Sequence, residues 1–310
     1  MRTVTRVIHD CDPGHDDAIA LLLGLASPEL DLLGASTVAG NQSLELTTSN
    51  AIRVLDHVGR ADLPVCAGAA RPLVREPVTN VSGHGESGLD GPDLPPPSRS
   101  PEPVHAVDWL GRAISDGVGP VTLVATGPLT NVALLLARYP EVERQLERVV
   151  VMGGAIGEGN VTPAAEFNIW ADPEAAARVF ESGLDITMVG LDVTYRALMT
   201  PAHADELRGD GRAGRLVADL YEFYSRVHRR RFGRNGAPVH DAVAMAHVID
   251  PTLLDTQLCG VKIDTGPELS RGRTNVDRWG RLDWRPNCHV AVEIDAARFL
   301  DLLVRRIARL

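Results

Sequence analysis

Lysine is almost missing from this chain: Lys262 is the single one in 310 residues. Any chemistry that needs a lysine beside an acidic motif therefore has one candidate. Aromatic residues are also scarce, at 4% against 44% apolar residues overall, so the core must rest on Val, Leu, Ala and Ile. The four cysteines (Cys11, Cys66, Cys259, Cys288) stand far apart and form no CxxC pair, which argues against a disulfide framework or a zinc site and for buried free thiols. The longest apolar run, Ala18 to Ala26, is too short to span a bilayer. No hydrophobic leader precedes Val7-Ile8, and a cytoplasmic protein is the expectation. A net charge of −10 excludes a general binder of nucleic acid or anionic membrane, since phosphate-rich partners select basic surfaces. One basic run stands out, His228-Arg229-Arg230-Arg231-Phe232-Gly233-Arg234, read either as a solvated helix end or as a substrate-facing loop.

What is present alternates. Arg6–Cys11 reads as a strand and Asp17–Ala26 as a helix; Leu32–Val38 is a strand and Leu44–Val58 a helix. Short strands follow at Leu63–Cys66, Val121–Ala125, Val149–Met152 and Asp185–Leu191, with helices at Leu129–Arg138, Glu174–Glu181 and Ala296–Arg309. Continuous apolar strands between helices predict one large α/β domain, a mainly parallel central sheet flanked by helices over residues 1–310. Two segments, 75–103 and about 224–236, are expected as mobile loops. The first is rich in Gly and Pro and too long for an ordinary connection.

The densest chemistry lies in Asp10-Cys11-Asp12-Pro13-Gly14-His15-Asp16-Asp17. Strand, tight turn and helix start bring four carboxylates together at the carboxyl end of a strand, where open α/β sheets bind ligands. Crowded, dry carboxylates repel one another unless a cation compensates. A helix N-terminus offsets only roughly 0.3–1 kcal/mol per charge. Helix capping accounts for one or two aspartates, not four, so a divalent metal is the better explanation. Oxygen ligands favour Ca²⁺ or Mg²⁺ over zinc.

The string DCDPGHDDAIAL resembles the DxDPGxDD signature of the inosine-uridine-type nucleoside hydrolases. Further similar stretches follow in family order: Thr37–Asn41, His84–Gly88, Ala125–Asn131, Val151–Gly154, Glu166–Ile169, Ala171–Pro173 and Val239–Asp241. The resemblance implies the nucleoside hydrolase fold with its site at the C-terminal ends of the strands, cleavage of ribonucleoside N-glycosidic bonds to free base and ribose, and a Ca²⁺ cofactor. Its ligands would be the carboxylates of Asp12, Asp17 and Asp241 and the backbone carbonyl of Thr126, with Asp10 in support. Ribose hydroxyls would be held by Asp16, Asn41, Asn160, Glu166, Asn168 and again Asp241. It also implies a homodimer or homotetramer acting on a small-molecule ribonucleoside, with no nucleic-acid or membrane partner.

An oxocarbenium-like transition state needs an activated water, and Asp12 at the metal is the expected general base. His240, next to Asp241, would donate a proton to the leaving base. Base contacts are expected from His84 in the His-Gly-Glu-Ser-Gly loop, from Met152 and Phe167, and from Tyr224, His228 or Phe232. Trp109, Trp170, Trp279 and Trp284 match no obvious base-stacking position, which favours an inosine-uridine-type preference. Two alternatives compete. A haloacid-dehalogenase-like phosphatase also opens on Asp-x-Asp, but wants a Thr or Val soon after it and a later lysine. A nucleoside- or ribose-binding protein without catalysis would require loss of Asp12, Asp17 or Asp241, and all three are present.

Overall fold

Strands and helices alternate along the chain in the computed structural model, which describes residues 4–117, 119–233, 235–266 and 269–310, with backbone alone at Val81 and Phe232. The first half runs β1 (Thr5–Cys11), α1 (His15–Leu25), β2 (Leu30–Thr37), α2 (Leu44–His57), β3 (Val65–Ala67), α3 (Val81–His84), α4 (Ala106–Ser115), β4 (Val121–Ala125), α5 (Thr130–Arg138) and β5 (Leu146–Met152). The second half adds α6 (Phe167–Ala171), α7 (Pro173–Phe180), β6 (Ile186–Val189), α8 (Leu191–Thr194), β7 (Leu198–Met199), α9 (Pro201–Arg208), α10 (Gly211–Phe232), β8 (Ala237–Pro238), α11 (His240–Ile249), β9 (Leu254–Ile263), β10 (Thr274–Asp277), β11 (Cys288–Ile294) and α12 (Ala296–Ile307).

Among the described residues, nine strands form one sheet in the order β10-β9-β11-β6-β5-β4-β1-β2-β3. Neighbours from β3 to β11 are parallel, and β9 and β10 extend the far edge antiparallel. The expected mainly parallel α/β domain is therefore what the chain builds. From β1 the chain moves outward one way through β2 and β3, then returns to β4 on the other side of β1. That reversal opens a crevice at the carboxyl ends of β1 and β4, the position where such sheets take ligands.

Both faces are covered because the strand side chains alternate between two apolar layers. Val124 and Val150 face the layer of α1, α2, α10 and α11. Leu123, Ala125, Val149 and Val151 face the layer of α4, α5 and α7. Helices α1 and α11 are buried along nearly their whole length and pack together, with Gly24 admitting the Met245 thioether at close range. Both start at the carboxyl edge of the sheet, so Asp16 and Asp17 on one meet Asp241 on the other. The four cysteines are free and buried, as expected.

Two expectations about loops change. Residues 224–232 are not a loop but the end of the 22-residue helix α10. Its buried positions Leu216, Val217, Leu220, Tyr221, Tyr224 and His228 recur at helical spacing, while Arg229, Arg230 and Arg231 close its last turn in solvent. The basic run is thus a helix end, favourably placed at the negative pole of the helix. The segment 75–103 contains α3 and is tied down beyond it: Leu89 and Leu94 are buried in the main core, the Asn50 amide donates to the Ser87 carbonyl (2.8 Å) and Arg53 to the Leu94 carbonyl (2.6 Å). No described helix is long and apolar enough to cross a membrane.

Candidate active site

Strand β1 ends at Cys11, so Asp12 lies just past the ladder, where the backbone is free to turn. The backbone N–H of Asn41, from the loop after β2, donates to Asp12 Oδ2 at 2.7 Å. The other oxygen, Oδ1, is buried with no partner. Glycine is required on both sides of this carboxylate: a Cβ at Gly40 would stand 2.1 Å from Oδ2, and one at Gly127 2.9 Å from Oδ1. The loops after β2 and β4 therefore close on Asp12 through two glycines.

Asp17 is the most heavily held acid. Its Oδ2 accepts from the Gly14 N–H (3.0 Å) and the Asn41 amide (3.2 Å), and its Oδ1 accepts from the Thr126 hydroxyl (2.7 Å). Thr126 gives its proton to Asp17, so it must accept from His9 Nε2 at 2.9 Å. His9 is fully buried, and burial pushes its pKa down to about 3, leaving a neutral ring that donates along this line. Asp10 turns away from the group, accepting from Ser36 (2.6 Å) and Asn131 (2.8 Å).

Ligand atoms of Asp16, Asp17 and Asp241 lie within 4.8 Å of one another. Asp16, expected at the ribose, is thus closer in this group than Asp12. Burial, then the charge of Asp17, pushes Asp16 up to about 8; burial and the charges of Asp16, Asp17 and Asp12 hold Asp241 well above the carboxylate range. Asp12 is raised well above it for the same reasons, burial first and Asp17 next. Such a group fits a hard cation: several oxygens converge, one of the nearby oxygens has no partner, and the acids resist ionising together without positive charge. His9, Cys11 and Asp17 also bring one ligand atom each within the same span. That set suits a cation poorly, because His9 Nε2 carries its proton toward Thr126 and burial holds the Cys11 thiol well above its ordinary pKa.

Opposite the acids stands the start of α6. Glu166 accepts from the N–H groups of Asn168 (2.9 Å), Ile169 (3.1 Å) and Gly154 (3.0 Å), yet burial still lifts it to about 7. The Asn168 amide donates to the Thr126 carbonyl at 2.7 Å, so the carbonyl expected as a metal ligand also meets this amide. Asn160 accepts from the Phe167 N–H (2.9 Å) and ties its loop to α6.

These residues line a cleft, partly open to solvent, whose convergent polar groups suit a small polar ligand. Asp16, Asn41, Thr126, Asn160, Glu166, Asn168 and Asp241 line one end; His84, Met152, Phe167, His228 and His240 line the rest. His240 Nδ1 is 2.7 Å from the Thr194 hydroxyl, and its ring meets Tyr195 edge-on. All the residues expected at the site line this cleft except Asp12, Asp17 and Phe232. Asp12 and Asp17 stand just behind the lining, and the side chain of Phe232 lies outside the described residues. Sequence reasoning missed Asn80, Gly83, Val161, Tyr195, Val227 and Arg231, and left Tyr224 undecided; all seven line the cleft. The helical spacing of Tyr224, Val227, His228 and Arg231 was the available signal. Among the tryptophans, Trp170 packs under Arg271 and Trp284 under Lys262, and none lines the cleft.

Comparisons with known proteins agree with this geometry. Residues 7–301 match the family described as inosine-uridine preferring nucleoside hydrolase. A pyrimidine-specific ribonucleoside hydrolase RihA of Shewanella sp. (strain MR-4) is 49% identical over 304 residues, covering 97% of this chain and 96% of the relative. Its namesake from Photobacterium profundum is 47% identical, covering 97% and 98%. Among solved structures, a purine-preferring ribonucleoside hydrolase from Gardnerella vaginalis superposes with a TM-score of 0.92 at 33% identity, over 98% of both chains.

Proposed function

The chain belongs to the inosine-uridine preferring nucleoside hydrolase family and is a ribonucleoside hydrolase, an enzyme that breaks N-glycosidic bonds; from that premise we propose that it converts pyrimidine ribonucleosides to free base and ribose in this cleft. The observation that carries the reading is the buried carboxylate group of Asp12, Asp16, Asp17 and Asp241, raised in pKa and converging at the crevice between β1 and β4. Asp12, Asp17 and Asp241, with the Thr126 carbonyl, would hold a calcium ion. When bound, the ion supplies the charge that keeps these acids ionised and makes a water acidic enough to react near neutral pH.

The chain's own groups do the rest. Asp12 takes the proton of the attacking water on Oδ1, the oxygen that no protein donor occupies. Asp16, Asn41, Asn160, Glu166, Asn168 and Asp241 bind the ribose hydroxyls and orient the anomeric carbon. His240, with its ring fixed by Thr194, gives a proton to the base as the glycosidic bond breaks. Residues 80–84 and the end of α10 close over the base, His84, Met152, Phe167, Tyr224 and His228 forming its walls. A homodimer or homotetramer in the cytoplasm completes the reading, checked by light scattering and cell fractionation.

The two alternatives lose ground. The phosphatase reading needs a lysine near the acids, and Lys262 lies over Trp284, away from the cleft. The pure binding-protein reading needs a defect in the carboxylate group, and the group is intact. The test is a panel of uridine, cytidine, inosine, adenosine and a phosphate ester. Free pyrimidine and ribose are expected first. Purine release of equal efficiency contradicts the pyrimidine preference, and phosphate release without free base contradicts the function.

A further inference from the structure

His15, which follows the Pro13-Gly14 turn inside the aspartate motif, has no part in the chemistry above, yet it is fully buried and packs against His84 and Tyr224, which line the cleft. Its Nε2 is 2.8 Å from the Asp90 carbonyl, which can only accept, so Nε2 carries the ring proton and Nδ1 is bare. Its backbone N–H is the first of α1, a donor with no partner inside the helix. That N–H points at His84 Nδ1 at 3.2 Å. His15 Nδ1 stands at the same 3.2 Å from His84 Nδ1, so the two contacts compete; the backbone N–H cannot turn its proton away, takes precedence as donor, and leaves His84 Nδ1 as the bare nitrogen. Burial keeps the His84 ring neutral, with His15, His228 and His240 acting in the same direction. The proton of His84 is then on Nε2.

Packing holds the arrangement. The His15 ring lies parallel to Phe223 and Tyr224, with centroids 5.1 and 5.3 Å away and planes 4° apart. The His84 ring stacks on His15 and Tyr224 at 5.4 and 5.3 Å. It also sits against Gly14, where a Cβ would come within 2.5 Å of Nδ1. We propose that His15 is a positioning residue for base recognition: its backbone N–H fixes His84 in the Nε2–H tautomer, and its ring holds that imidazole in place. His84 then offers the cleft a hydrogen-bond donor and favours bases that present a carbonyl oxygen or bare ring nitrogen to it. The recognition half of this inference rests on the reading of His84 as a base contact.

Two variants separate the backbone from the ring. His15→Pro removes the N–H at a first-turn position where proline suits a helix, after a Gly14 already in extended conformation. His15→Ala keeps the N–H and removes the ring. In ¹⁵N-histidine spectra of the intact protein, His84 is expected as Nε2–H in the wild type and in His15→Ala. In His15→Pro it should shift toward Nδ1–H. The ratio of kcat/KM for uridine to that for a nitrophenyl riboside, whose leaving group needs no donor, should fall about tenfold in His15→Pro and less in His15→Ala. An Nδ1–H signal in the wild type overturns the inference, and this readout stands even if the proline variant does not fold. A tautomer and ratio unchanged in His15→Pro overturn it as well. If His84→Ala leaves the ratio unchanged, His84 does not serve the base and the recognition half falls; the spectra alone decide the tautomer.

Discussion

The backbone N–H of Asn41 pins one oxygen of Asp12 at 2.7 Å and leaves the other buried without a partner. A carboxylate held this way has one oxygen for orientation and one for chemistry. Asp12→Asn keeps the shape and the pinned contact but removes the basic oxygen. Turnover of every nucleoside should drop by about 10²- to 10⁴-fold, with the far-UV spectrum and Tm retained. Undiminished hydrolysis would remove Asp12 from the role of base.

His240 is held by Thr194 at 2.7 Å and faces the cleft beside His228. His240→Ala should slow uridine and inosine by about 10²-fold, the usual scale for a lost general acid, and slow a nitrophenyl riboside far less. Equal slowing of both substrates would argue that His240 does not act on the leaving base.

Burial lifts Asp10 to about 6, Glu166 to about 7 and Asp16 to about 8 in the cation-free protein. A raised carboxyl favours the folded state fully below its unfolded pKa, near 4, and loses that contribution as pH climbs through the folded value. Chelated protein should therefore lose Tm from about pH 4 to pH 8, while calcium-loaded protein holds it, because the ionised acids are then paired with positive charge. The gap between the two should widen with pH in scanning fluorimetry. A gap independent of pH would contradict the pKa pattern.

Asn131 supports the site from behind. Its amide donates to Asp10 (2.8 Å) and the Thr37 carbonyl (3.0 Å), and its oxygen accepts from the Ala69 N–H (2.8 Å). Asn131→Ala strands the buried Ala69 N–H and removes one of two donors from Asp10, still held by Ser36, and from the Thr37 carbonyl, still held by the Gly68 N–H, and urea unfolding should show a loss of about 2 kcal/mol. A loss under about 1 kcal/mol would mean that water or rearrangement replaces the amide.

Much of this was readable in the sequence because local chemistry and local structure agree there. Asp10 to Asp17 join a strand, a Pro-Gly turn and a helix start within eight residues, so Asp12, Asp16 and Asp17 gather there while Asp10, still on the strand, turns back to Ser36 and Asn131. Thr126 and Asp241 were legible only through the family resemblance, since Asp241 by itself reads as an acid at a helix start. The base end was harder to read. Helix α10 carries its buried Tyr224 and His228 among arginines, and the charged run masked a helix as a loop. Asn80 and Tyr195 reach the cleft through tertiary packing alone, with no periodic signal. His15 carries no signal of its role in the sequence, because its partners His84 and Asp90 lie 69 and 75 residues away.

The most direct test of the whole account follows uracil and ribose together as uridine is consumed, in chelator and then with calcium restored. Equal amounts of both products, lost in chelator and recovered with calcium, are the predicted result. Continued release of uracil and ribose in the metal-stripped enzyme would contradict the carboxylate group as a cation site at the centre of the chemistry.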